Sequence, residues 1–232
     1  MPCFCPLPQL LPLPGVADWA PVIASRDCCI RIMGPDGKPL FEVPTPSPPT
    51  ALRFVAEQHV PPSARHASAR ELLYGCQDGR VVQLLVDAGT VRQGFVIQGH
   101  GAAAPPGDAP SPAAAPEGQG ALPPAAGPAI RGPSRAAVTA LHCGADYSKT
   151  GCADIVVGRE DGHLEVWDVD PTGQPQLVTA VQLPESITAV DGGYVTHAGS
   201  PDILVHTFTG KVRMTCPCPC SCPCPCVCSA SH

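Results

Sequence analysis

Long apolar runs, aromatic rings and charge of either sign are all scarce in this sequence. No stretch of eighteen consecutive apolar residues occurs, which excludes a transmembrane helix. Lys and Arg number 14 against 20 Asp and Glu, a net charge of −6. With its bases scattered, the chain lacks the electrostatic footprint of a nucleic-acid binder. Charged residues make up 15% of the sequence, against roughly 25% in an ordinary soluble domain. Aromatics are only 4%. A helical period of ten residues is nowhere to be found, and 31 Pro with 23 Gly interrupt nearly every window long enough to hold one. The opening MPCFCPLPQLLPLPG has no basic residue, and Pro breaks its apolar stretch, so it does not read as a signal peptide. What remains is a soluble, turn-rich, all-β chain long enough for one or two cores.

Fourteen Cys would suggest a secreted disulfide scaffold. Half of them, however, sit at alternate positions from Cys216 to Cys228. The other seven are an odd number without framework spacing. Cys28 and Cys29 are adjacent, and Cys76, Cys143 and Cys152 lie in apolar contexts, where a thiol acts as a small hydrophobe. The body of the chain reads as cytosolic and reduced.

Three segments read as outside any fold. Residues 1–15 are Pro-rich. Residues 101–135 are Ala, Pro or Gly at 26 of 35 positions, with only Leu122 and Ile130 able to pack. Burial there cannot offset the roughly 1–2 kcal/mol per residue that ordering costs. The stretch is expected to be a disordered insertion in one loop, tolerated because closure entropy grows slowly with length. The tail, 215–232, alternates Cys with Pro. Thiolates bind Zn²⁺ or Cu⁺, but alternating Pro favours a polyproline II rod that points successive thiols apart. It therefore reads as low complexity, not as a metal site.

With the insertion set aside, the chain repeats. Glu71-Leu-Leu-Tyr-Gly-Cys-Gln-Asp-Gly79, Asp154-Ile-Val-Val-Gly-Arg-Glu-Asp-Gly162 and Asp202-Ile-Leu-Val-His-Thr-Phe-Thr-Gly210 share one pattern. Each is an acid, an apolar run, a turn ending in Gly, and then an alternating run. Asp-Gly between such runs is a strong hairpin signal, because Gly takes positive φ at little cost. Upstream stand Thr50-Ala-Leu, Thr139-Ala-Leu and Thr188-Ala-Val. The last two are 49 residues apart; the first two are 89 apart, or 54 without the 35-residue insertion. Val22–Ile32 looks like an earlier hairpin of the same kind. A period near fifty points to a solenoid or propeller. One period contains four strand-like runs, Val138–Cys143, Asp154–Val157, Leu164–Val169 and Leu177–Leu183, which is one blade of a β-propeller. The expected fold is all-β: a partial, open β-propeller of about three to four four-stranded blades over residues 16–214, its last blade cut short at Met214.

No nucleophile–base pair and no phosphate loop stands out, so the chain reads as non-enzymatic, with no catalytic, cofactor-binding or metal-binding residue assigned. Asp146, Ser148, Thr150 and Asp154 have the skeleton of a Ca²⁺ loop. Two carboxylates are too few for a cation that takes six to eight oxygens, and a self-bonded turn is the simpler reading. Asp168-Val-Asp170 reads as a strand-ending turn. His142, His163 and His206 read as packed or edge histidines, Arg26, Arg31, Arg80 and Arg159 as charges on a solvated blade face, and Trp167 as packing between blades.

The phrases VIASRDCCIRIM, LFEVPTPSPPTALRF, ELLYGCQDGRVV, ADIVVGREDGHLEVWDVD and LPESITAVDGGYV, in this order, resemble the N-terminal β-propellers of the Bardet–Biedl syndrome 7 family over roughly residues 16–213. The related Bardet–Biedl syndrome 2 proteins have a similar propeller. The resemblance implies a non-enzymatic subunit of the BBSome, a coat-like complex that carries membrane proteins in and out of cilia. It implies as partners the other BBSome subunits, the Bardet–Biedl syndrome 2 protein foremost, with ciliary membrane-protein cargo and an Arl-type small GTPase reached through the complex. The implied location is the cilium, its basal body and the cytoplasm. The matching phrases correspond to later blades, so earlier blades and the coiled-coil, appendage and helical parts of the family are expected to be missing from this chain. The alternatives are a propeller scaffold of another complex and an integrin-like Ca²⁺-binding propeller.

Overall fold

A computed structural model describes residues 9–12, 19–55, 70–87, 89–99, 130–170, 172–195, 201–215 and 228–230. Every regular element among them is a strand. The first sheet holds β1 (Gln9–Pro12), β2 (Trp19–Ser25), β3 (Cys29–Met33) and β4 (Pro39–Pro44). The second holds β5 (Pro49–Val55), β6 (Arg70–Cys76), β7 (Val81–Val86), β8 (Val91–Gly99) and β9 (Ile130–Gly132). The third is β10 (Val138–Ala145), β11 (Asp154–Arg159), β12 (His163–Val169) and β13 (Pro175–Gln182). The fourth is β14 (Ile187–Gly193), β15 (Asp202–Thr207), β16 (Val212–Thr215) and β17 (Cys228–Ala230).

Sequence order equals strand order in each sheet, and neighbours are antiparallel except β9, which runs parallel to β8. The inner strands β1, β5, β10 and β14 pack successively on one another. This is the open propeller that the fifty-residue period predicts, with four sheets that do not close into a barrel.

Three apolar layers, one per interface, hold the sheets together. Val22, Ile30 and Ile32 pack against Leu72, Tyr74 and Leu84 between the first and second. Leu73, Val81 and Ile97 meet Val138, Ile155 and Trp167 between the second and third. Val156, Leu164 and Val166 meet Ile187, Ile203 and Val205 between the third and fourth. Alternate residues of β6 and β11 thus serve opposite neighbours, and both strands are buried on both faces. Each fully buried Val, Leu or Ile contributes on the order of 1.5–3 kcal/mol, so every sheet depends on its neighbour.

The turn glycines behave as their motifs require. Gly79, Gly162 and Gly210 have φ of +83°, +88° and +84°, and their N–H groups close the turns onto Cys76, Arg159 and Thr207 carbonyls. In the first sheet the equivalent turn position is Cys28, at φ 60°.

Three expected boundaries move. The propeller begins at Gln9, because Gln9–Pro12 pairs with Trp19–Val22 as an innermost strand, instead of starting at residue 16. The end of the insertion belongs to the fold: Ile130–Gly132 extends the second sheet, and Ile130 packs on the layer around Trp167. The fourth sheet is not cut short at Met214: β16 runs to Thr215, and Cys228–Ala230 pairs with it as a fourth strand. The remainder of the three segments expected to be disordered lies outside the described residues, apart from residues 133–135 at the insertion's end and Thr215 at the tail's start.

Candidate interaction surface

The inner strands repeat one device. Thr50, Thr139 and Thr188 each occupy a register shift in β5, β10 and β14, and their hydroxyls donate to the carbonyls of Gly75 (3.2 Å), Gly158 (3.1 Å) and His206 (3.1 Å). A bulge bends the strand and aims its side chains differently from a regular ladder. Just beyond, the first turn residue of each second hairpin donates its N–H to the residue preceding the inner strand: Gln77 to Pro48 (2.9 Å), Glu160 to Ala137 (3.0 Å), Phe208 to Ser186 (2.9 Å).

These equivalent positions converge. Arg26, Gln77, Glu160 and Phe208, one from each sheet, rim a cleft of about 300 Å³ at the inner end of the blades. Its wall is Pro48, Pro49, Thr50, Ala137, Thr139, Ser186, Ile187 and Thr188. The cleft carries one charge of each sign on its rim, and Phe208 is 76% exposed.

The fourth sheet presents a second surface. In the first three sheets the residue before the last of β2, β6 and β11 is small: Ala24, Gly75 and Gly158. Across from Gly75 and Gly158, the next sheet's Val138 and Ile187 come within 2.3 and 2.6 Å of where a Cβ would stand. The fourth sheet has His206 at that position, exposed, with Nδ1 2.7 Å from the Thr188 hydroxyl. Gly79 and Gly162 touch the chain leading to the following sheet, whereas Gly210 has nothing within 4 Å. Phe208, Val212, Tyr194 and Val195 are exposed apolar side chains of this sheet and its loops.

The family described as BBS7 beta-propeller matches residues 9–215. The chain belongs to that family. Among its relatives, the Mus musculus BBSome complex member BBS7 is 25% identical over 203 residues, which is 87% of this chain and 23% of the relative. The Caenorhabditis elegans BBSome complex member bbs-7 is 38% identical over 79 residues, 33% of this chain and 10% of that one. The chain thus spans less than a quarter of either. Two crystal structures of BBS1N in complex with ARL6DN, soaked with lead and with mercury, each have a TM-score of 0.50. They are 14% and 13% identical and cover 91% and 90% of this chain and 49% of theirs. They share the propeller fold.

Within this member of the BBS7 beta-propeller family, most singled-out residues serve the fold. The Asp146–Asp154 loop closes on itself. Asp146 accepts the N–H groups of Thr150 (3.0 Å) and Gly151 (2.8 Å), and Asp154 accepts those of Tyr147 and Ser148 (2.6 Å each) plus the Ser148 hydroxyl (2.9 Å). Burial lifts the Asp154 carboxyl to about 6 against the pull of these donors. Asp168 accepts the Thr150 hydroxyl (3.0 Å), and Asp170 accepts the Thr172 and Gln174 N–H groups (2.8 and 3.0 Å), closing its own turn. His142 is buried with Nδ1 3.1 Å from Asp191 Oδ1 across the third and fourth sheets, and His163 Nδ1 lies 2.9 Å from Asp161. Arg31 pairs with Asp27 (2.7 Å) and Glu42 (2.9 Å), and Arg80 with Asp78 (3.2 Å). Burial holds the Cys76 and Cys143 thiols at about 12, so both are protonated at neutral pH.

Arg159 departs from the expectation of a solvated face. It is fully buried, bidentate to the equally buried Glu165 (2.5 and 3.0 Å), and donates to the carbonyls of Gly79 (2.9 Å) and Ala136 (3.1 Å). Trp167 Nε1 completes the carboxylate's partners at 2.9 Å. The network ties the third sheet to the hairpin of the second, and Trp167 fills the layer between them as expected. Glu165, inside an otherwise apolar alternating run, was the available signal for it.

Proposed function

We propose that this chain is the non-enzymatic propeller part of a BBSome subunit that acts in ciliary membrane-protein trafficking and cilium assembly through protein–protein contacts. The observation that carries this reading is the BBS7 beta-propeller match across nearly all described strands. The geometry agrees with it: the carboxylates of the acidic loop are taken up by turn N–H groups, the buried charges by one another, and the fourth sheet with its loops exposes Tyr194, Val195, Phe208 and Val212. The partners in this reading are the other BBSome subunits, the Bardet–Biedl syndrome 2 protein foremost, with membrane-protein cargo and an Arl-type small GTPase reached through the complex. The crystal structures of BBS1N with ARL6DN, a propeller of the same fold, support the GTPase. The location is the cilium, its basal body and the cytoplasm.

Live imaging of the fluorescently tagged gene product in ciliated cells tests this. Particles moving along the cilium together with a tagged BBSome subunit are expected. Exclusion from the cilium and basal body would overturn the reading.

A further inference from the structure

The cleft at the inner end of the blades holds groups that the fold does not consume. Turn acids elsewhere are paired: Asp27 with Arg31 (2.7 Å), Asp78 with Arg80 (3.2 Å) and Asp161 with His163 (2.9 Å). Glu160 on the cleft rim is exposed, and among the described residues its carboxylate has no hydrogen-bond or ion-pair partner. Phe208, from the adjacent fourth sheet, stands on the same rim with 76% of its surface exposed. Arg26, the base on that rim, belongs to the first sheet's turn and already interacts within the chain.

The hydroxyls along the wall have a fixed polarity. Thr50, Thr139 and Thr188 each spend their one proton on backbone carbonyls, Thr50 on those of Gly75 and Val138, Thr139 on Gly158 and Thr188 on His206. A hydroxyl has a single proton and two lone pairs, so what these three still offer a ligand is acceptance. Acceptors beside an unpaired carboxylate and an exposed aromatic ring suit a cation that only donates. A net charge of −6 on the chain favours its approach. At about 300 Å³ the cleft is at the small end for ligand sites, with room for one long side chain.

We propose that this cleft binds an arginine side chain presented by a partner protein, with the guanidinium on the Glu160 carboxylate and against the Phe208 ring, and the stem along Pro48 and Ala137. Arginine fits better than lysine because its planar fork meets a carboxylate with two parallel bonds while its face stacks on an aromatic ring. Its methylene stem gains from the apolar wall. The inference gives a chemistry to the protein–protein contacts proposed above, and rests on that reading only for the source of the arginine.

The test is an NMR titration of the isotope-labelled full chain with N-acetyl-arginine amide, beside its uncharged isostere N-acetyl-citrulline amide and N-acetyl-lysine amide. Saturating shifts at Phe208, Thr139 and Thr188 are expected with the arginine compound, weaker binding with lysine, and none with citrulline. Glu160→Gln should weaken binding about tenfold or more, the loss of a charged hydrogen-bond partner. Phe208→Ala should weaken it about two- to fivefold. Both side chains are exposed, and unchanged signals away from the cleft check that each variant keeps its fold. Arg26→Gln should leave binding equal or tighter. Absence of saturating shifts at the cleft, equal binding of citrulline or lysine, or full affinity in Glu160→Gln would overturn the proposal. So would weaker binding in Arg26→Gln, or saturation by N-acetyl-aspartate amide, either of which would make the cleft an anion site. The titration uses no BBSome subunit, so its failure leaves the ciliary reading standing, and failure of that reading leaves the cleft's preference measurable.

Discussion

Gly75 and Val138 approach each other so closely across the second and third sheets that a Cβ on the glycine would stand 2.3 Å from the valine Cγ1. The same relationship recurs between Gly158 and Ile187 at 2.6 Å. The inner strands can therefore nest because the facing strand has no side chain there. Gly75→Ala should destabilise the chain by about 1–3 kcal/mol, the usual cost of overpacking. Trimming the opposing side chain in Gly75→Ala with Val138→Ala should cost less than the two single changes summed. Urea unfolding of the four proteins measures both.

The Arg159–Glu165 pair has no exposure and every donor or acceptor aimed at it is protein. Either Arg159→Met or Glu165→Leu leaves a buried charge without its counterpart and should cost about 3–5 kcal/mol. Both together should cost distinctly less than the sum of the two. Additive losses in a double-mutant cycle would contradict the pairing.

Cys28 stands at positive φ where the other hairpins have Gly79, Gly162 and Gly210. An L side chain costs roughly 1–2 kcal/mol in that conformation, and the added chain entropy of glycine offsets part of it. Cys28→Gly is expected to raise the denaturant midpoint by an amount corresponding to about 0.5–1 kcal/mol. An unchanged or lowered midpoint would show that the thiol makes a compensating contact.

Asp154 titrates against the usual direction for a hydrogen-bonded carboxylate. Burial raises its pKa to about 6 from an ordinary 3.8, so the folded chain holds the proton more tightly than the unfolded one. The resulting stability is complete below the unfolded value and is lost as pH rises through the folded one. Asp154→Asn keeps an acceptor for the Tyr147 and Ser148 N–H groups and has no such titration. The melting temperature of wild type relative to this variant should fall between about pH 4 and pH 7 and level off above. A constant difference across that range would contradict the burial argument.

The repeat was legible because its signals are local. Asp-Gly turns, the acid that opens each hairpin and the Thr-Ala pair are contiguous in sequence, and the structure puts Thr50, Thr139 and Thr188 on equivalent bulges. What was not legible depends on distant partners. Gln9–Pro12 lies among prolines and becomes a strand only by pairing with β2, and Ile130–Gly132 only by reaching Ile97–Gly99. Arg80 and Arg159 flank similar hairpins. One lies beside Asp78 near solvent, whereas the other is buried because Glu165 replaces an apolar residue opposite it. The cleft rim could not be found from composition, since Arg26, Gln77, Glu160 and Phe208 share a position but no chemistry.

The central claim, a propeller belonging to a BBSome subunit, is tested most directly by affinity purification of the tagged gene product from ciliated cells with mass spectrometry of what comes with it. The account predicts that the other BBSome subunits co-purify in comparable amounts. Recovery of the gene product without any of them would contradict it.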